Sequence, residues 1–228
     1  MKIIEDTGFC TCCGTYQDFE YGEDNFSILK KDLDNYNKYK NIFVYRCPNC
    51  NFVNVNITDE LGVLFHNIVK EKEYNDLLNY ACLEGLDKEL WEMHSESIYA
   101  NEYEAYAYMC LKNENSFMAI RALFEANRLY EVMARKYRKS QDELGGEEEN
   151  DAQYERLDDL INYRVTKNYN KLYELLKNKK RNAFEDLILV EVLNKLGSKT
   201  EAKQVFDAIN RKNLLKPDLL QYFKDLLK

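Results

Sequence analysis

The chain of 228 residues is poor in the residues that break regular structure, with only two prolines and eight glycines. That scarcity argues against loop-rich β-sandwiches and collagen-like folds. No window approaches the ~20 apolar residues that a membrane-spanning helix needs. The opening Met1-Lys2-Ile3-Ile4-Glu5-Asp6 turns acidic at once and lacks the apolar core of a secretory signal, which points to the cytoplasm. Histidine is nearly absent. His66 and His94 both fall in helical stretches, and neither belongs to an H-E-x-x-H pattern. There is no G-x-S-x-G nucleophile turn, no phosphate-binding G-x-x-x-x-G-K-[ST] loop and no G-x-G-x-x-G. These absences point away from an enzyme.

Acid is what the chain has in excess. Its net charge is −8, spread as −4 over residues 1–60, −8 over 61–150 and +4 over 151–228. A surface of that sign repels phosphate backbones and disfavours nucleic acid as a partner. The basic run Lys177, Lys179, Lys180 and Arg181 reads as a solvated helix end. The acidic stretch from Asp142 to Asp151, with Gly145-Gly146, reads as an exposed loop between long helices; it lacks the alternate oxygen ligands of a calcium loop.

Five of the seven cysteines lie in the first fifty residues. Cys10-Thr11-Cys12-Cys13-Gly14 and Cys47-Pro48-Asn49-Cys50 each contain a C-x-x-C pair. Two-residue spacing lets one tight turn aim two thiolates at a single ion, and two such turns complete a four-sulfur tetrahedron. Cys10, Cys13, Cys47 and Cys50 are therefore the candidate ligands of one structural Zn²⁺ per chain. Gly14 tolerates the positive φ expected after such a turn, and Asn51 is the next best residue for it. The 33 residues between the pairs suit a zinc ribbon with an extended hairpin. Strands are expected at 42–45 and 52–57, with a weaker one at 26–29. So small a module lacks a sufficient core, and metal binding would supply roughly 10–16 kcal/mol of its folding. A thioredoxin-like redox dithiol fits poorly, because neither pair sits in a βαβ pattern. Cys12 is a spare thiol that permits a thiol- or metal-responsive role, or replaces a neighbour as ligand. Cys82 and Cys110 sit in apolar helical patterns and read as small core residues.

Beyond residue 58 the apolar period becomes 3.6. Helices are expected near 59–70, 73–84, 87–112, 116–140, 149–178, 183–196, 199–212 and 217–227. The stripe Phe117, Ile120, Phe124, Asn127, Tyr130, Ala134, Tyr137 forms one apolar face interrupted by Asn127. Gly197-Ser198 should close one helix and cap the next, with Glu201 at capping-box spacing, and Pro217 should open the last. Two segments follow the tetratricopeptide pattern of small and large residues. One runs from Tyr106 through Ala119, Leu123 and Ala126, the other from Leu189 through Gly197, Ala202, Phe206 and Ile209. Ala119 and Ala202 are 83 apart, which is not a multiple of the ~34-residue repeat, so the array is irregular. The expected fold is mainly α: a small β zinc ribbon over 1–58, then an irregular tetratricopeptide-like bundle of helical hairpins over 59–228.

This order of parts resembles an uncharacterised bacterial family in which a paired C-x-x-C zinc ribbon precedes tetratricopeptide-like helices. The likeness is carried by Cys10-x-x-Cys13-Gly14, the Asp/Tyr-rich stretch after it and Phe43-Val44-Tyr45-Arg46-Cys47-Pro48-Asn49-Cys50. The resemblance implies Cys10, Cys13, Cys47 and Cys50 as ligands and supplies no reaction. Asn51 stands where that family usually has Gly, and Cys12 where a proline or small residue is commoner. The functional expectation is a non-enzymatic scaffold for a protein or peptide partner. Tyr99, Tyr103 and Tyr106 share a helical face and are the expected lining of its groove. The alternatives are a thiol- or metal-responsive regulator using Cys12, and a nucleic-acid-binding ribbon.

Overall fold

A computed structural model describes residues 2–22, 42–79, 95–144, 148–209 and 215–228. The expected strand at 26–29, Cys82 and His94 lie outside them. The fold is mainly helical, with a small β region at the N-terminal end. Among the described residues no helix is long and apolar enough to cross a membrane.

Among the described residues, four strands form two hairpins. β1 (Ile3–Phe9) pairs antiparallel with β2 (Tyr16–Gly22), and β3 (Tyr45–Arg46) with β4 (Val53–Asn54). The first hairpin was not legible as strands, because its outward positions mix Ile3, Glu5, Thr7 and Phe9 instead of presenting one apolar face. The second is shorter than expected. Phe52, Val53, Asn54, Val55 and Ile57 are all buried, so no solvent face alternates with the core face. Side chains take the place of ladder partners there. Val53 N–H donates to the Tyr74 hydroxyl at 3.1 Å, and Val55 N–H to Asn54 Oδ1 at 2.8 Å.

Residues 59–70 do not form the expected α-helix. They make two 3₁₀ turns, Glu60–Phe65 and Ile68–Lys70. The inward residues Gly62 and Phe65 are three apart, which matches three residues per turn. Contact with the first cysteine turn imposes this path. A Cβ on Gly62 would lie 1.9 Å from Thr11 Oγ1, so only glycine lets the backbones meet. Thr11 Oγ1 in turn reaches the carbonyls of Asp59 at 2.6 Å and Ile57 at 3.1 Å. Part of the segment assigned by sequence to the helical domain therefore packs on the first cysteine turn.

The helices follow as α1 (Lys72–Leu78), α2 (Ser95–Lys112), α3 (Ser116–Leu144), α4 (Glu148–Lys177), α5 (Ala183–Lys195), α6 (Lys199–Ala208) and α7 (Pro217–Leu226). From α2 to α6 each packs on its successor. The hairpins α2–α3 and α5–α6 turn alike. Glu114 and Gly197 are both left-handed, at φ 56° and 81°. Asn115 N–H then reaches Cys110 O, and Ser198 N–H reaches Leu193 O, each at 2.8 Å. These pairs are 83 residues apart, the same offset as the fully buried Ala119 and Ala202. The expected capping box at Ser198 is absent, since that side chain makes no cap bond. It forms instead at Asn182 and Glu185, at the start of α5. The α3 stripe faces inward from Ile120 to Ala134. Asn127 is buried within it and donates to Val165 O on α4 at 3.2 Å.

A buried polar cluster joins α2, α3 and α4. Arg164 and Glu104 are 1% and 5% exposed and pair at 2.7 Å. Asn168 donates to Glu104 at 2.5 Å, and Tyr130 donates to Asn101 at 2.9 Å beside the Arg164 guanidinium.

Candidate metal centre

Each cysteine pair sits in the turn of a hairpin, and the two turns are built alike. After the second cysteine comes a left-handed residue, Gly14 at φ 76° and Asn51 at φ 63°. Its amide bonds the first cysteine's carbonyl, Gly14 N to Cys10 O at 2.7 Å and Asn51 N to Cys47 O at 2.9 Å. The first cysteine's amide bonds the residue beyond, Cys10 N to Thr15 O at 2.9 Å and Cys47 N to Phe52 O at 2.8 Å. Asn51 also does what glycine could not. Its Oδ1 accepts from Arg46 Nη2 at 2.7 Å and Nε at 3.1 Å, which fixes the start of the turn to its end.

The turns bring the sulfurs of Cys10, Cys13, Cys47 and Cys50 within 4.8 Å of one another, the one such group among the described residues. Cys10 Sγ lies 3.8 Å from Cys50 Sγ, and Cys13 Sγ lies 3.9 Å from Cys47 Sγ. Metal–sulfur bonds of ~2.3 Å at tetrahedral angles give edges of about 3.8 Å, so these four can hold a metal ion. None of them is in a disulfide.

Cys10 and Cys47 are wholly buried, while Cys13 and Cys50 are partly exposed. Burial pushes the Cys10 thiol up to about 12, against the pull of the Cys13 and Cys12 amides. Burial likewise raises Cys50. At Cys13, burial is outweighed by hydrogen bonds from Asn49 and Thr15, which bring the thiol down to about 6. Asn49 Nδ2 lies 3.5 Å from Cys13 Sγ and 2.8 Å from Thr15 Oγ1. Such donors suit a thiolate ligand, because they spread its charge without displacing it.

Cys12 lies inside the same turn but outside the four-sulfur group. It is buried, and burial raises its thiol. Its carbonyl is 3.1 Å from His66 Nδ1, and His66 Nε2 is 2.7 Å from Lys70 Nζ. The ammonium can only donate, so Nε2 accepts and Nδ1–H donates to Cys12 O. His66 thus braces the turn from outside. Cys110 is buried in the helical core, and burial pushes its thiol up to about 12.

The three tyrosines expected to line a groove do not form one open face. Tyr103 and Tyr106 are buried, and Tyr99 alone is exposed. Tyr103 donates to Ile42 O at 2.6 Å, so it joins α2 to the segment that leads into β3. Tyr74, which no motif singled out, has the same role on α1. It is fully buried and donates to Asn51 O at 2.6 Å. The basic run after α4 is paired locally, Lys179 with Glu185 at 2.6 Å and Arg181 with Asp186 at 2.7 Å. Exposed apolar side chains occur elsewhere, on the segments that flank or pack on the first cysteine turn. Phe9, Tyr16, Val63 and Leu64 are each at least 60% exposed, and Leu61 is 49% exposed.

No known protein family, curated protein or solved structure matches the chain.

Proposed function

We propose that this chain is a non-enzymatic interaction protein, a zinc ribbon stapled to a tetratricopeptide-like helical scaffold that presents the metal end to a protein partner. The four sulfurs at tetrahedral spacing carry this reading. Four thiolates suit Zn²⁺, and a closed shell leaves no position for substrate or activated water. The ion's contribution is structural: it would hold together two hairpins that have little core of their own. The exposed apolar side chains of Phe9 and Tyr16 beside the first cysteine turn, and of Leu61, Val63 and Leu64 in the 3₁₀ turn packed on it, support placing the partner at this end rather than on the buried tyrosines. Burial of Cys12 speaks against the thiol-responsive alternative, because an enclosed thiol is poorly accessible to reagents in solution. The acid around the first hairpin speaks against nucleic acid.

Metal analysis by mass spectrometry, on protein purified without chelator, tests the premise. One zinc per chain is expected in the wild type and in Cys12→Ser, and less than about half of that in Cys47→Ser. A zinc-free wild type, or loss with Cys12→Ser, would sink the four-ligand assignment. A partner cross-linked to the intact chain should be lost in Leu61→Ser/Leu64→Ser with helicity unchanged. Retention there would remove the metal-end surface from the reading.

A further inference from the structure

The outward face of the β1–β2 hairpin carries a readable pattern. Its register sets Glu5 opposite Glu20, Thr7 opposite Asp18 and Phe9 opposite Tyr16. Alternate residues share a face, so these pairs line up along one side of the sheet. Glu5, Thr7, Phe9, Tyr16 and Asp18 are exposed, and Glu20 is half-buried. Phe9 and Tyr16 meet edge to face at 5.0 Å, which makes an apolar end beside the cysteine turn. The middle is acidic, and among the described residues its carboxylates form no ion pair. Like charges directly opposite each other destabilise a strand pair, so Glu5 facing Glu20 gains from a cation brought to this face. A cleft of about 470 Å³ adjoins them, with Tyr45 among its walls. Aromatic rings beside carboxylates suit an extended cationic side chain.

We propose that this face docks an extended basic segment of a partner protein. Two basic side chains would stand over Glu5/Glu20 and Asp18, and an apolar one over Phe9 and Tyr16. The three levels are two residues apart along the strands, about 7 Å per step. The segment therefore reads basic-x-basic-x-apolar in one direction or the other. Charge complementarity selects this occupant: the paired strand residues of this face include acid and aromatic groups, and neither Lys nor Arg. The proposal rests on the partner-binding reading above and names the chemistry of that partner.

The probe is a fluorescein-labelled ten-residue peptide with the Lys-x-Lys-x-Phe pattern, alongside a shuffled peptide and one with Glu for Lys. Each is titrated by anisotropy into the zinc-loaded full chain at low and high salt. The patterned peptide should bind at least ~10-fold more tightly than either control and weaken as salt rises. Glu5→Lys should weaken it by ~10-fold or more. That variant gains a cross-strand partner in Glu20, so the hairpin stays folded; metal content and circular dichroism check this. Equal binding of all three peptides, or undiminished binding by Glu5→Lys, overturns the proposal. No binding of the patterned peptide also overturns it, while a cross-linked partner still sensitive to Leu61→Ser/Leu64→Ser would leave the broader reading standing. Salt-dependent self-association lost in Glu5→Lys would seat a second copy of the chain on the face and overturn the partner segment.

Discussion

Glu102 on α2 is buried at 7% exposure and faces Arg46 of the second hairpin. Burial pushes its carboxyl up to about 7, and the Arg46 charge offsets only part of that. The folded state thus holds the proton more tightly than the unfolded chain, whose carboxyl titrates near 4.5. The stabilisation from the neutral carboxyl is complete below about 4.5 and is lost as pH rises toward about 7. Thermal melts of wild type and Glu102→Gln from pH 5 to 8 should diverge, with the variant gaining relative stability of order 1–3 kcal/mol by pH 8. A constant difference across that range would remove Glu102 as its source. Single residues also explain why the cysteine turns were legible and their surroundings were not. C-x-x-C followed by Gly14 or Asn51 is local geometry, complete within five residues. Tyr74 and Tyr103 earn their places only through carbonyls at Asn51 and Ile42, far away in sequence.

Among the elements, the long helices were legible nearly to their ends, because an apolar face every 3.6 residues is a local signal. The 3₁₀ turns over 60–70 were not, since their shape follows from Gly62 pressing on Thr11. The β1–β2 hairpin escaped for a related reason: its outer face faces away from the core and shows no apolar alternation. The buried cluster of α2–α4 yields a direct test. Arg164→Leu leaves Glu104 buried without its guanidinium and should cost ~3–5 kcal/mol in urea unfolding. Adding Glu104→Leu should recover most of that loss, because two apolar side chains replace two charges. A double variant as unstable as the sum of the two single changes would mean that the ion pair is not the reason.

Over the whole molecule, one contiguous set of buried residues runs from Cys10 through α2 and α3 to Phe223. Tyr74 and Tyr103 tie the cysteine turns to α1 and α2 across it. Loss of the metal should therefore be felt beyond residue 58. Chelation at neutral pH should lower the melting temperature of a single calorimetric transition by ~10 °C or more. A second, helical transition untouched by chelator would restore an independent boundary near residue 58. By itself, the amino-acid sequence determined the helical class, most helix limits and the four clustered cysteines, because each depends on spacing within a few residues. Only the tertiary structure decided that Cys12 is excluded from the sulfur group, that Tyr103 and Tyr106 are buried, and that the outward surface lies on the first hairpin. Those outcomes depend on which distant backbones meet, and no local period records that.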